Sequence, residues 1–247
     1  MTELLYLQDS YAKDFEAEVT FSEGVEVELD RTLFYPLGGG QPTDQGTLEA
    51  GPDTWNVHKV RKKAGKVLHK LDREAPPPGT RITGHIDWNR RYSIMRYHTA
   101  LHVLSKVIFD EFESEVSGNQ IYPNRARMDF TLDNLSSERL ELILENTHRV
   151  IDESKPIQIL FLPREEAAKI VNPKRTRLDM IPKSVTEIRI VDIKGFDRDA
   201  CGGTHVKNTS EIGRLTVTKT LSKGTLNKRI EFTLSPPPPM NVELETK

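Results

Sequence analysis

Apolar and polar positions alternate through the N-terminal part of the chain. Phe15, Ala17, Val19 and Phe21 alternate with Glu16, Glu18 and Thr20. After Ser22-Glu23-Gly24, Val25, Val27 and Leu29 alternate with Glu26, Glu28 and Asp30. A period of two on either side of a short glycine-containing link predicts a β-hairpin with one wet face. Pro76-Pro77-Pro78-Gly79 marks a rigid break between further short strands. A small β-barrel is the expected closure for such pieces.

The period changes near Arg90. Tyr97, Leu101, Leu104, Ile108 and Phe112 form a helical stripe over 97–112. A second helix is predicted over 137–151, with Leu140, Ile143, Leu144, Thr147, Val150 and Ile151 on one face. A strand over 158–162 and a short helix over 163–171, with proline in its first turn, come next. Strands return where Ile188 and Ile190, Leu215 and Val217, and Ile230, Phe232 and Leu234 alternate. The fold class is therefore α+β. A small barrel with a glycine-rich segment is expected over 1–88, an α+β domain with an antiparallel sheet over 89–235, and a flexible tail over 236–247. There is no internal repeat.

Composition narrows the compartment. Hydrophobic residues make up 36% and charged residues 29% of the 247, which excludes a wholly disordered chain. No apolar run is long enough to span a membrane, and the N-terminus lacks a signal sequence. Cys201 is the single cysteine, so no intramolecular disulfide can form. A reducing, cytoplasmic setting is expected, with Cys201 as a thiol or a metal ligand.

Charge distribution says more than the net of −2. Residues 1–30 carry nine acids and one base, which leaves 34 bases and 28 acids, a net of +6, over 31–247. Lys59, Arg61, Lys62, Lys63, Lys66 and Lys70 form one cluster without an acid among them. Others are Arg90, Arg91 and Arg96, then Lys174, Arg175 and Arg177, then Lys219, Lys223, Lys228 and Arg229. Such clusters suit phosphates, although a solvated face has the same composition.

The candidate chemistry lies in two pairs. His98 and His102 stand four apart in His98-Thr99-Ala100-Leu101-His102, so on a helix they share a face. Cys201-Gly202-Gly203-Thr204-His205 places a thiol and an imidazole at the ends of a glycine-containing loop. Together they form a zinc-type ligand set. Thr99 follows the first histidine, where a zinc protease would carry glutamate. Four protein ligands usually mean a structural ion, so either one ligand, with His205 the expected one, is loose or displaced by substrate, or zinc mainly organises the site. Buried histidines bonded to backbone are the alternative reading. Asp199 reads as a surface-loop aspartate, with a contact to a ligand histidine as the alternative. In Thr32-Leu33-Phe34-Tyr35-Pro36-Leu37-Gly38-Gly39-Gly40-Gln41-Pro42-Thr43-Asp44, the glycines predict a tight turn; no dinucleotide or P-loop spacing is present.

These motifs resemble a known family. HTALH followed by ACGGTHV is similar to the zinc motifs of the alanyl-tRNA synthetase editing domain and of its free-standing homologues, the AlaX proteins. LFYPLGGGQPTDQG resembles the glycine-rich motif of the AlaX-M type. IDWNRRYSIMRYHTALHVL and KTLSKGTLNKRIEF resemble the barrel–editing junction and the terminal strands, although many relatives read closer to KGKGNRRI in the latter. The resemblance covers most of 5–235. It implies hydrolysis, in trans, of the ester joining serine, and sometimes glycine, to tRNA(Ala). It implies Zn2+ on His98, His102, Cys201 and His205. It also places Thr32, Asn119 and Gln120 at the amino-acid pocket. The stiff Thr32 hydroxyl, which can donate and accept, is then the expected selector of the serine hydroxyl, with a strand threonine bonded to its own backbone as the alternative. The acceptor arm is then expected on Lys219, Lys223, Lys228, Arg229, Arg90 and Arg91. Two readings compete with this one: a non-catalytic zinc-stabilised tRNA-binding module, and a zinc hydrolase acting on small molecules.

Overall fold

The computed structural model describes residues 2–236. The expected tail, from residue 237 onward, lies outside the described residues. The first part holds β1 (Glu3–Leu4), β2 (Asp14–Glu23), β3 (Glu26–Leu29), β4 (Arg31–Thr32), β5 (Gly46–Ala50), β6 (Asp53–Lys63), β7 (Lys66–Leu71) and β8 (Arg81–Ile86). Six of them close a barrel in the order β2-β3-β7-β6-β5-β8, every pairing antiparallel. Closure leaves no unpaired sheet edge. Phe15, Ala17 and Val19 point inward and Glu16, Glu18 and Thr20 outward, as the alternation predicts. A bulge between Val19 and Phe21 breaks the period and leaves Phe21 half-buried.

The barrel interior also takes two polar residues, Thr32 and His69, both fully buried. His69 Nδ1 lies 3.2 Å from Val27 O and Nε2 lies 2.8 Å from Thr32 Oγ1. A carbonyl only accepts, so Nδ1 carries the proton and Nε2 accepts from the threonine hydroxyl. Thr32 Oγ1 in turn accepts from Phe34 N at 3.1 Å. This corrects the reading of Thr32 as selector, because its one hydroxyl proton is committed to His69 inside the barrel.

The second part begins with α1 (Trp88–Phe112), followed by β9 (Val116–Tyr122), β10 (Arg125–Thr131), α2 (Ser137–Asp152), β11 (Ile157–Pro163), α3 (Arg164–Ile170), β12 (Glu187–Ile193), β13 (Asp197–Ala200), β14 (Arg214–Ser222) and β15 (Asn227–Ser235). Helix α1 starts well before the predicted stripe. The Asp87 carboxylate caps it by accepting from Arg90 N at 3.1 Å. Every residue from Ser93 to Leu101 is buried, so the helix runs through the core and a one-sided stripe understates it. Ser136 caps α2 in the same way, accepting from Arg139 N. Two antiparallel sheets are present, β14-β15-β10-β9 and β11-β12-β13, where one was expected. Pro163 sits just ahead of α3 as its N-cap, outside the first turn. The second core centres on α1, whose Ile94, Met95, Leu104 and Ile108 pack with Phe130, Ile143 and Phe232. Among the described residues no helix is long and apolar enough to cross a membrane.

One buried ion pair ties the two parts together. Arg91, on the first turn of α1, has no solvent exposure. Its Nε donates to Asp44 at 3.0 Å, its Nη1 to Ser10 O at 3.1 Å and its Nη2 to Leu33 O. Asp44 Oδ2 also accepts from Tyr35 N. Arg91 therefore cannot reach a phosphate, which corrects its place among the RNA-binding candidates.

Arg91→Met leaves the Asp44 charge buried without its partner and is expected to destabilise the fold by about 3–5 kcal/mol. Arg91→Met with Asp44→Leu should recover part of that loss in denaturant melts. A second expectation concerns acid. Burial pushes His69 down to about 4, partly offset by its bond to Val27 O. The unfolded chain takes that proton near the ordinary value of about 6.5. The stability is thus complete above 6.5 and is lost as pH falls toward 4, by up to roughly 3 kcal/mol. His69→Gln should show a shallower stability slope than the parent between pH 6.5 and 4.5.

Candidate metal centre

His98 and His102 project from successive turns of α1. Cys201 and His205 come from the loop that follows β13. One ligand atom from each of the four lies within 4.8 Å of the others. Cys201 Sγ is 3.6 Å from His98 Nε2 and 3.4 Å from His205 Nε2. A tetrahedral ion with arms of ~2.3 Å to sulfur and ~2.0 Å to nitrogen has a sulfur–nitrogen edge of ~3.5 Å. The two sulfur–nitrogen distances therefore fit the edges of a tetrahedral divalent site.

The remaining ring nitrogens are held from outside. His98 Nδ1 lies 2.8 Å from Gln41 Oε1, which also accepts from Thr204 N at 3.1 Å. Gln41 Nε2 donates to Thr204 Oγ1 at 3.0 Å. The Thr204 N–H can only donate, so the amide oxygen must face it, and His98 carries its proton on Nδ1. His205 Nδ1 lies 3.1 Å from Thr99 Oγ1, whose hydroxyl donates to Met95 O at 2.9 Å, so that ring also donates from Nδ1. His102 Nδ1 faces Asp199 Oδ2 at 3.8 Å, and Asp199 Oδ1 accepts from the Thr176 hydroxyl. Each Nε2 is thereby left for an ion. Asp199 belongs to the site, a correction to its reading as a surface-loop aspartate. His205 is buried and tied to Thr99 at hydrogen-bond distance, whereas the His102 side chain is 12% exposed and faces its acceptor at longer range.

Electrostatics follow from the crowding. Burial raises the Cys201 thiol, but His98, His205 and His102 outweigh it and hold the group well below its ordinary value. Burial and the neighbouring His98 keep His205 well below its own. Burial also lowers His102, but the Cys201 sulfur and the carboxylates of Asp199 and Asp197 raise it to about 9. A thiolate next to imidazoles is the state in which sulfur ligates metal.

The glycine-rich segment reaches this centre from the barrel side. Gly38 and Gln41 pair backbone to backbone, with Gly39 at φ +59 and Gly40 at φ +81 between them. Positive φ at both central residues makes the turn type I′. A Cβ on Gly40 would stand 3.1 Å from the backbone Asn119 O and overlap the Asn119 side chain, and its φ of +81 favours glycine, so glycine lets the turn seat closely on β9. Gly40 O accepts from Ile121 N and from Gln120 Nε2. A Cβ on Gly203 would meet His98 Cε1 at 2.1 Å, so the Cys-Gly-Gly-Thr-His loop also needs glycine there. Sequence reading passed over Gln41, Thr99 and Thr204. The available signal was Gln41's position directly after three glycines.

The remaining candidates separate by environment. Asn119 is exposed and makes no side-chain hydrogen bond among the described residues, whereas Gln120 is committed to Gly40 O and Ile121 O. Lys219 and Lys223 are exposed on and beside β14, Lys223 at 3.5 Å from Asp129. Arg229 is paired with Asp129, and Arg90 donates to Thr43 O. Lys228 is buried, with Nζ on Gly224 O and Thr225 O, so it serves the β14–β15 turn rather than a ligand.

Comparison with known proteins agrees with these motifs. The family model for the "Threonyl and Alanyl tRNA synthetase second additional domain" matches 188–231, and that for "tRNA synthetases class II (A)" matches 3–90. The chain is 39% identical to the alanyl-tRNA editing protein AlaX-M of Methanosarcina barkeri, covering 95% of this chain and 99% of the relative. It is 41% identical to that of Saccharolobus solfataricus, covering 96% and 100%. It is also 38% identical to part of the alanine–tRNA ligase of Ignicoccus hospitalis, covering 94% of this chain but 26% of the ligase. With nearly full-length identity at this level, the chain belongs to the AlaX-M family of alanyl-tRNA editing proteins.

Proposed function

We propose that the protein is a zinc-dependent trans-editing hydrolase, which cleaves the ester joining serine, or glycine, to tRNA(Ala). The observation that carries this reading is the four-donor cluster of His98, His102, Cys201 and His205, in a chain that matches AlaX-M proteins over nearly its whole length. One thiolate and three imidazoles near tetrahedral spacing suit zinc. When bound, zinc supplies Lewis acidity toward an ester carbonyl or a water. The chain's own residues position the donors: Gln41 orients His98, Thr99 orients His205, and Asp199 faces His102. A Cβ on Gly202 would meet nothing within 4 Å, so there is open space for substrate directly beside Cys201.

Selection of serine is assigned to Asn119. Its amide keeps both donor and acceptor available, and the Gly40 turn brings β9 beside the segment that carries Gln41 to His98. Exposed Lys219 and Lys223 are the sites for acceptor-arm phosphates. A second reading has one observation in its favour. Four protein donors also describe a closed structural zinc, which would make the protein a non-catalytic tRNA-binding module.

Purified protein mixed with serine-charged and alanine-charged tRNA(Ala) is expected to release serine and spare alanine. Binding of tRNA without loss of either ester would favour the second reading. Elemental analysis should find one zinc per chain. Cys201→Ala should lose both zinc and deacylation while its circular dichroism stays like the parent's. Asn119→Ala should narrow the serine-to-alanine rate ratio by ~3–10-fold, the effect of one hydrogen bond. An unchanged ratio would take selection away from Asn119.

A further inference from the structure

A cavity of about 640 Å³ lies between the glycine-rich segment and the β11-β12-β13 sheet, and it reaches Cys201 and Gly202. Its size is that of a small-ligand site. Three of its lining residues form a row across the sheet. Phe161 on β11 pairs with Arg189 on β12, and Cys201 N donates to Arg189 O at 3.2 Å just past β13. Directly paired residues in an antiparallel ladder share a face. At ~4.8 Å per strand, Phe161 stands about 10 Å from Cys201, with Arg189 between them.

Each member of the row presents different chemistry. Cys201 belongs to the metal centre. Arg189 is 8% exposed, with Nε on Leu7 O and Nη1 on Cys201 O. Its Nη2 is buried and has no hydrogen-bond partner among the described residues. A guanidinium only donates, so this group calls for an oxygen from elsewhere. Phe161 is apolar yet 41% exposed. Lys62, from the basic run of β6, also lines the cavity and is exposed, with no carboxylate within 4 Å among the described residues.

An acylated nucleotide has the same sequence of parts: ester, sugar, base, with phosphate leading away. We propose that this cavity seats the 3′-terminal nucleoside of the charged tRNA. The base stacks on Phe161, a sugar oxygen accepts from Arg189 Nη2, and the adjoining phosphate meets Lys62. The seat rests on the editing reading for the identity of its RNA, but its occupancy does not depend on hydrolysis. Stacking on a single exposed ring accounts for affinity without any base-edge reading.

The test uses the full zinc-loaded chain and two uncharged forms of tRNA(Ala), one ending in CCA and one ending in CC. The parent protein is expected to bind the intact form about tenfold more tightly, the effect of one stacked base. Phe161→Ala should erase that difference with zinc content unchanged, and Phe161→Trp should retain it. With serine-charged tRNA, Phe161→Ala should raise KM by a similar factor and spare kcat. Equal affinity of the parent for the two RNAs, or a difference that persists in Phe161→Ala, would overturn the proposal. A clear preference for the CCA form in a protein that never deacylates would instead uphold the seat and sink the editing reading. A tRNA ending in 2′,3′-dideoxyadenosine should bind about threefold more weakly than the intact form, the effect of one hydrogen bond. No loss would overturn the role given to Arg189.

Discussion

The centre depends on a guanidinium that no water reaches. Arg91 is held by Asp44 from the glycine-rich segment and by the carbonyls of Ser10 and Leu33. Burying such a pair is costly unless its hydrogen bonds are met, and here each guanidinium nitrogen has an acceptor. The consequence is positional. Arg91 is seven residues before His98, which a helix converts to a rise of about 10 Å. Asp44 also accepts from Tyr35 N, so the segment between them, which carries Gln41, is closed into a loop of fixed shape. Helix and loop are pinned at one point, and Gln41 and His98 meet further along at 2.8 Å. A barrel and a helical domain that drifted apart would separate that contact first.

Local periodicity made much of the fold legible. The β2–β3 hairpin, α2, β11 and the terminal strands follow from which positions are apolar. The four-donor cluster was legible for a similar reason. An i, i+4 pair on a helix and a Cys-x3-His loop are local geometries, and only their meeting is long-range. What escaped depends on distant partners. The start of α1 was hidden because Arg91 and Arg96 look like surface residues until Asp44 and the carbonyl of Ile212 are known. The β9–β10 hairpin was passed over although Ala126, Met128 and Phe130 alternate with polar neighbours along β10 and are buried; the weak signal is β9, whose first five residues hold a single apolar one, Val116. Thr32 looked like a pocket hydroxyl because His69, its actual partner, lies far along the chain. Lys228 and Arg229 belonged to a basic cluster in sequence, yet one serves a turn and the other a carboxylate.

The three imidazoles of the cluster are not held alike, and that difference bears on whether a metal bound there would be closed off. Gln41 and Thr99 grip His98 and His205 at hydrogen-bond distance, from the buried side. His102 has only the longer-range carboxylate of Asp199, which is shared with the Thr176 hydroxyl. A ligand that must yield during turnover has to be the one with the fewest fixed contacts, because breaking a buried hydrogen bond adds to the barrier. By that criterion the flexible corner is His102 and the rigid ones are His98 and His205. Cys201 has a different constraint: Gly203 N donates to its sulfur, and its backbone is knitted to Arg189 on β12.

That last connection joins the four-donor cluster to the proposed nucleoside seat. Cys201, whose sulfur belongs to the four-donor cluster, also supplies its carbonyl to Arg189, so the guanidinium and the thiol are placed by one short stretch of backbone. A ligand bound across both would register its ester against the metal by the length of its own sugar, without any moving part. The same geometry would reject a free amino acid, which can occupy the metal end but has nothing to offer Arg189 or Phe161. Under the proposed function, discrimination against small metabolites would follow from the row itself: a serine ester would reach the centre only as far as a nucleoside carries it there.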